Sequence, residues 1–149
     1  VQTCALPIFE AAMLAANIAP GKRRVFGFER WRDFDGALWQ RLKEAAHQAE
    51  HKFSGNILCS DLDPTAVDIA QQNARRAGVE RLIDFRTSDF FESKPPTESG
   101  TLLLNPPYGE RLQEDNIVEF YKEIGNQLKQ QYTGHTAWII SANEDALMH

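Results

Sequence analysis

Thr101-Leu102-Leu103-Leu104-Asn105-Pro106-Pro107-Tyr108 runs from an apolar tetrad into a proline pair and then an aromatic ring. The apolar tetrad reads as a buried strand. Gly109-Glu110-Arg111-Leu112 and then a polar, helical pattern follow it. The Asn-Pro-Pro-Tyr run therefore lies in the loop leaving the carboxyl end of a strand. In open α/β sheets that is where ligands bind.

The residue types in this loop suggest a chemistry. Two consecutive prolines offer no backbone N–H, so carbonyls are left free to accept. Asn105 and Pro106 each precede proline and are pushed out of the helical region, which makes the loop stiff and extended. A stiff loop can aim the Asn105 amide oxygen and the Pro106 carbonyl at one point. Two acceptors there suit an amino group on an aromatic ring. Such a nitrogen is a poor nucleophile because its lone pair is delocalised. Oriented acceptors turn the lone pair toward an electrophile and stabilise the charge that develops. Tyr108 can offer a stacking face for the base, worth roughly 1–3 kcal/mol. The plainer alternative is a proline-rich turn with a surface tyrosine.

This run resembles the motif of amino-group methyltransferases that use S-adenosylmethionine. Its longer form, residues 105–112, resembles the bacterial large-subunit ribosomal RNA guanine-N2 methyltransferases, the ribosomal RNA large subunit methyltransferase L family. The resemblance extends from Glu10 to the end of the chain, and residues 105–112 are its most specific part. It implies a Rossmann-like, S-adenosylmethionine-dependent methyltransferase domain that methylates the N2 amine of a guanine in 23S ribosomal RNA. It also implies an RNA-binding THUMP domain elsewhere in the family's proteins. The expected catalytic residues are Asn105, Pro106 and Tyr108, with Pro107, Tyr108 and Arg111 touching substrate. An amino-methyltransferase for DNA or for a glutamine side chain, and a non-catalytic remnant of the same shape, are the competing classes.

Composition agrees with one globular domain. The chain has 149 residues, 42% hydrophobic and 25% charged, enough for a real core. Its net charge of -5 makes it a poor stand-alone RNA binder, because backbone phosphates need cations. Cys4 and Cys59 form no C-x-x-C pair and suggest neither a disulfide framework nor a zinc site. Cys59 reads as a small buried hydrophobe. No apolar run approaches the roughly 20 residues of a membrane span, and no signal peptide is visible. A reducing cytoplasm is the default expectation.

Along the chain, residues 1–8 read as an atypical or foreign segment ahead of a partial catalytic domain over 9–149. Phe9 to Ala19 reads as a helix stopped by Pro20-Gly21. In the family, a strand and the loop Asp-Pro-x-Cys-Gly-Ser-Gly-Thr come before this helix. Here Gln2, Thr3, Ala5 and Leu6 occupy the loop's Cys, Gly, Gly and Thr positions. Glycine permits close backbone approach to a cofactor that other residues resist. The expectation is a truncated or altered product lacking the first strand, and the last strands too; a diverged loop that still binds cofactor is the alternative.

Lys22 to Trp31 interleaves cations and aromatics: Lys22, Arg23, Arg24, Phe26, Phe28, Arg30 and Trp31. Such a segment can grip phosphates and stack bases. Equally, its aromatics can pack on the sheet while the arginines stay in water. Asp35 to about Lys52 reads as a helix, with Trp39, Leu42, Ala46, Ala49 and Phe53 at helical spacing. His47 and His51 could face one way. Without a third ligand they read as a solvated face, and no metal is expected.

A strand over Asn56 to Ser60 ends at Ser60-Asp61-Leu62-Asp63-Pro64. An acid at the end of such a strand is the usual partner of a ribose hydroxyl pair, which assigns Asp61 to the cofactor. Asp63 reads as an N-cap with proline at the first helical position. That helix runs to Ala77 and stops at Gly78. Arg81 to Arg86 is the next strand. By resemblance, Asp89 accepts from the cofactor's adenine amino group and Phe90 packs nearby; a surface turn Asp is the alternative. Glu92 to Gly100 reads as a loop. A helix over Asp115 to Tyr132, a strand over Thr136 to Ser141 and a helix begun at Ser141 complete the pattern. Alternating helices and strands give an α/β class with a mainly parallel sheet.

Overall fold

The computed structural model describes residues 6–106 and 114–141. They divide into two compact units, Val1–Thr87 and Ser88–His149. Both units are built on parallel strand pairing. Parallel neighbours cannot be joined by a tight hairpin and need a crossover of a dozen or more residues. The sequence supplies a helix for each crossover.

In the first unit, strand β1 (Ile57–Asp61) pairs in parallel with β2 (Ile83–Thr87), from Ile57 opposite Ile83 to Asp61 opposite Thr87. Helix α3 (Pro64–Ala77) connects them. The Asp63 carboxylate accepts the Thr65 N–H at 2.8 Å, and Pro64 occupies the first helical position, where its missing N–H costs nothing. Val67, Ala70 and Ala74 form the buried stripe. Gly78 ends the helix at φ +79°, and Val79 then donates to the Ala74 carbonyl at 3.0 Å. Val79 is wholly buried, packed with Phe9, Ala12, Cys59, Ala70, Ala74 and Ile83 in the main core. Phe9 and Ala12 come from helix α1 (Leu6–Ala15).

Three sequence expectations are corrected in this unit. Helix α1 stops at Ala15, well before Pro20-Gly21. Asn17 adopts φ +53°, Asn17 N donates to the Leu14 carbonyl, and Ile18 N donates to the Met13 carbonyl at 2.8 Å. That is a complete helix-ending motif, and Asn is the second choice after Gly for its left-handed position. Helix α2 (Gly36–Gln48) also stops early, since the expected end was near Lys52. Its last turn is claimed from outside: the Asn17 side chain donates to the Ala49 carbonyl at 2.9 Å, and His51 N donates to the Ala16 carbonyl at 3.0 Å. No residue of α2 falls in the core, and Leu42 is 52% exposed. Residues Glu80–Leu82 form a single 3-10 turn, so the following strand starts at Ile83 instead of Arg81.

A salt bridge fastens the loop after α1 to the end of α2. The Lys22 ammonium donates to Glu50, and His47 Nδ1 lies 3.3 Å from the same carboxylate. The Lys22 hydrogen bond holds the Glu50 carboxyl below its ordinary value; burial works against it, and the His47 hydrogen bond adds to it.

In the second unit, β3 (Gly100–Leu104) pairs in parallel with β4 (His135–Ile139), Gly100 opposite His135 and Leu104 opposite Ile139. Helix α4 (Glu114–Gln131) is the crossover. Its Ile117, Tyr121 and Ile124 are buried, and Val118, Phe120 and Ile139 pack against the first two. The Tyr121 hydroxyl donates to Ser141 Oγ at 2.8 Å. The fold is therefore α/β, and among the described residues the strands pair in parallel, as two two-stranded sheets, one in each unit. The helix expected to begin at Ser141 lies outside the described residues.

Two predictions follow from these local geometries. Gly78→Ala and Gly134→Ala both force an L-residue into the left-handed region, at about 1–2 kcal/mol. Gly134→Ala is the more damaging, because its Cβ would lie 2.9 Å from the Glu98 carbonyl, whereas at Gly78 it meets only the movable Arg23 guanidinium. Denaturant midpoints rank the two. Glu50→Gln lowers stability by at most about 1 kcal/mol at neutral pH, as partly exposed pairs do. Because the folded Glu50 carboxyl lies below its unfolded value, this contribution is present above the ordinary glutamate range and is lost as pH falls through the folded value. Thermal melts of wild type and variant should converge on acidification.

Candidate functional site

Asp61 closes β1 and is partly buried. One carboxylate oxygen, Oδ1, accepts the Asp63 N–H at 3.0 Å. That bond fixes the side chain at the strand end. Among the described residues, nothing binds the second oxygen. An ionised carboxylate held this way can still accept from hydroxyl groups of a ligand. Asp63 is spent on capping α3, as its place before proline indicated.

Asp89 follows the end of β2 by two residues. It repeats the same device, with Oδ1 accepting the Phe91 N–H at 2.9 Å. The turn behind it is heavily fastened. Gln127 Nε2 on α4 donates to the carbonyls of Phe90 and Ser93, each at 3.1 Å. Ser93 Oγ donates to the Phe90 carbonyl at 2.7 Å and lies 2.6 Å from the Tyr132 hydroxyl. The Phe90 ring stacks on Tyr132 at 5.7 Å between centroids. Sequence reasoning missed Gln127, Ser93 and Tyr132 as supports of this turn. The Gln127 and Tyr132 hydrogen bonds span 34 to 39 residues, so no local pattern announces them.

Asn105 and Pro106 leave β3 immediately after Leu104. The Leu104 carbonyl accepts the Ile140 N–H at 2.9 Å, so the β3–β4 ladder continues to the last residue before Asn105. Asn105 is partly buried and makes contacts of its own. An amide anchored directly beyond a paired strand has little freedom to wander. Pro107, Tyr108 and Arg111 lie outside the described residues, as do residues 1–5 with Gln2, Thr3 and Ala5 at the expected loop positions. Leu6 is the first residue of α1.

The structure therefore gathers Asp89, Phe90, Asn105 and Pro106 in one unit and holds Asp61 in the other. The histidines take unrelated roles. His47 contacts Lys22 and Glu50, and His51 donates its backbone N–H to Ala16. Among the described residues, no group of three His, Cys, Asp or Glu side chains could hold a metal. No described helix is long and apolar enough to cross a membrane.

The cation-aromatic segment resolves into parts. Phe26, Phe28 and Trp39 pack on one another. Phe28 is the hub, 5.4 Å from Phe26 and 5.1 Å from Trp39. Trp31 projects from the group and is 69% exposed.

Comparison with known proteins is consistent with this geometry. Residues 3–148 match the family model described as "RMKL-like, methyltransferase domain". The chain is 42% identical over 137 residues to ribosomal RNA large subunit methyltransferase K/L of Shewanella baltica, covering 85% of this chain and 19% of that protein. Against the protein of the same name from Vibrio campbellii, identity is 43% over 148 residues, covering 94% of this chain and 21% of the relative. The chain thus spans about a fifth of the length of these relatives. A solved putative methyltransferase complexed with SAH superposes with TM-score 0.86 at 32% identity, over 95% of this chain and 38% of that one. A predicted N6-adenine-specific DNA methylase from Listeria monocytogenes gives 0.83 at 33% identity, over 95% of this chain and 37% of that one. Parallel strands that end in fixed acids and an Asn-Pro pair, matched over nearly the whole chain by a single family model, have one consequence: the chain belongs to the RMKL-like methyltransferase domain family.

Proposed function

We propose that this domain transfers the methyl group of S-adenosylmethionine to the N2 amine of a guanine in large-subunit, 23S ribosomal RNA. The observation that carries the reading is Asn105-Pro106 directly beyond the paired end of β3, in a chain whose relatives are named for ribosomal RNA methylation. The reaction would take place in the cytoplasm, where ribosomal RNA is made. Most of the RNA grip would come from elsewhere in the full-length protein, in keeping with a THUMP domain and with this chain's net charge of -5.

The acids suit the cofactor. Asp61 offers its second oxygen to the ribose hydroxyls, and Asp89 offers one to the adenine amine, with Phe90 packed beside it. Both carboxylates are pre-oriented by a backbone N–H, which lowers the cost of fixing them on binding. When bound, S-adenosylmethionine supplies an already activated methyl electrophile. The chain's own task is alignment. Asn105 Oδ1 and the Pro106 carbonyl accept the two hydrogens of the guanine amine, direct its lone pair and stabilise the positive charge formed in the transition state. Tyr108 stacks on the base, while Pro107 and Arg111 complete its surroundings. A base within folded RNA must be unstacked to arrive there. Strong-base catalysis is not needed, since the amine loses its proton after the methyl is attached.

The Listeria neighbour, described as an adenine-specific DNA methylase, favours a second reading with the same acceptor chemistry on a different amine. Incubation of a full-length relative with labelled S-adenosylmethionine and either ribosomal RNA or DNA, followed by nucleoside analysis, separates them. Label in N2-methylguanosine supports the proposal, and label in N6-methyladenine overturns it. In a full-length relative, the Asn105→Ala equivalent should lower turnover by about a hundredfold or more, as loss of an oriented transition-state partner does. Cofactor affinity should hardly change; equal loss of both would assign Asn105 to binding or folding. For this chain alone, equilibrium dialysis should find no micromolar binding of S-adenosylmethionine, because the expected glycine positions carry Thr3 and Ala5.

A further inference from the structure

Residues 22–32 carry five cations, Lys22, Arg23, Arg24, Arg30 and Arg32, against the single acid Glu29, in a chain of net charge -5. The structure sorts these charges. Lys22 is bound to Glu50, and Arg23 donates to the Arg76 carbonyl at 3.3 Å. Glu29 is folded back, accepting the Phe26 N–H at 2.9 Å. Arg24, Arg30 and Arg32 are all exposed, and among the described residues none of the three forms an ion pair. Nearby, Asp35 is engaged as the α2 cap, which leaves Asp33 as the exposed acid of this stretch.

The aromatics are sorted as well. Phe26, Phe28, Phe34 and Trp39 are half-buried against each other. Trp31 meets only the edge of the group, 6.5 Å from Phe28 at 70°, and leaves its ring in water beside Arg30 and Arg32 in the chain. Val25, next to Arg24, is 73% exposed. Arg24 lies over the Phe26 ring at 5.8 Å, on the exposed side of the same cluster. An indole backed by a ring cluster, with Arg30 and Arg32 on either side in the chain and neither paired with an acid, is a stacking platform with phosphate partners.

We propose that Trp31, with Arg24, Arg30 and Arg32, is a contact for single-stranded RNA, Trp31 stacking on an unpaired base and the arginines taking the adjoining phosphates. A duplex hides its base faces, so the exposed ring selects for a single strand. The three unpaired cations favour a polyanion over an apolar protein surface, which would have to strip water from each of them. The choice of RNA rests on the proposed ribosomal substrate; the contact itself lies apart from Asn105 and requires no cofactor.

The test is binding of a labelled single-stranded oligoribonucleotide of about twelve nucleotides, within the usual site-size range, to the whole chain at low salt without S-adenosylmethionine. Anisotropy should show Trp31→Ala weakening binding about 5- to 150-fold, with Trp31→Phe retaining most of the affinity. Arg30→Gln with Arg32→Gln should reduce the slope of log affinity against log salt by roughly 1.4. Trp31 is exposed, so circular dichroism of the variant should match wild type. Unchanged affinity in Trp31→Ala, or a duplex bound as tightly as the single strand, overturns the proposal. In a full-length relative supplied with S-adenosylmethionine, absence of methyl transfer to ribosomal RNA with this binding intact would count against the proposed reaction and leave the RNA contact standing.

Discussion

Parallel pairing is the constraint on which the rest depends. Two parallel strands start at the same end, so the chain must travel the length of the sheet to pair again. Here α3 and α4 make those journeys; α3 packs on both strands it connects, and Ile117 and Tyr121 of α4 pack with Ile139 of β4. The same geometry forces each crossover to begin at the carboxyl end of a strand. Asp61 and Asn105 occupy those positions, one just before α3 and the other in the segment leading to α4. Asp61 is held there by the paired strand and by the Asp63 N–H, and Asn105 directly follows the paired end of β3.

The anchoring of the site is made of short-range and long-range parts. Asp61, Asp63 and Asp89 each accept a backbone N–H two residues ahead, a local habit of Asp at turns. The turn at Phe90 needs more: Ser93 supplies it locally, and Gln127 and Tyr132 supply it from a distance. A partly buried hydrogen-bond network of this kind is costly to break in part, since an orphaned group loses its partner without full access to water. The geometry around Asp89 therefore depends on α4 being in place.

In the other unit, the loop after α1 shows the same division of labour. Lys22 and Arg23 are structural cations, tied to Glu50 and to the carbonyl of Arg76. Arg30 and Arg32 are left to solvent, and Arg24, also exposed, lies over the Phe26 ring. Composition alone sees five equivalent charges. Only the fold separates those that hold the loop from those that can meet a ligand.

The sequence by itself determined the element types and the parallel class. The reason is that periodicity, Asp63-Pro64, Gly78 and the apolar tetrad 101–104 act through neighbours a few residues away. It also pointed to Asp61 and Asn105-Pro106, because strand ends are legible from local apolar runs. Tertiary structure decided where α1 and α2 stop. Asn17 could turn left-handed and reach the Ala49 carbonyl only once the two helices met. It decided that Phe26, Phe28 and Trp39 pack together while Trp31 stays in water. It also set the strand pairing as two two-stranded sheets. These outcomes rest on contacts between segments far apart in the chain, whose energies no local pattern encodes.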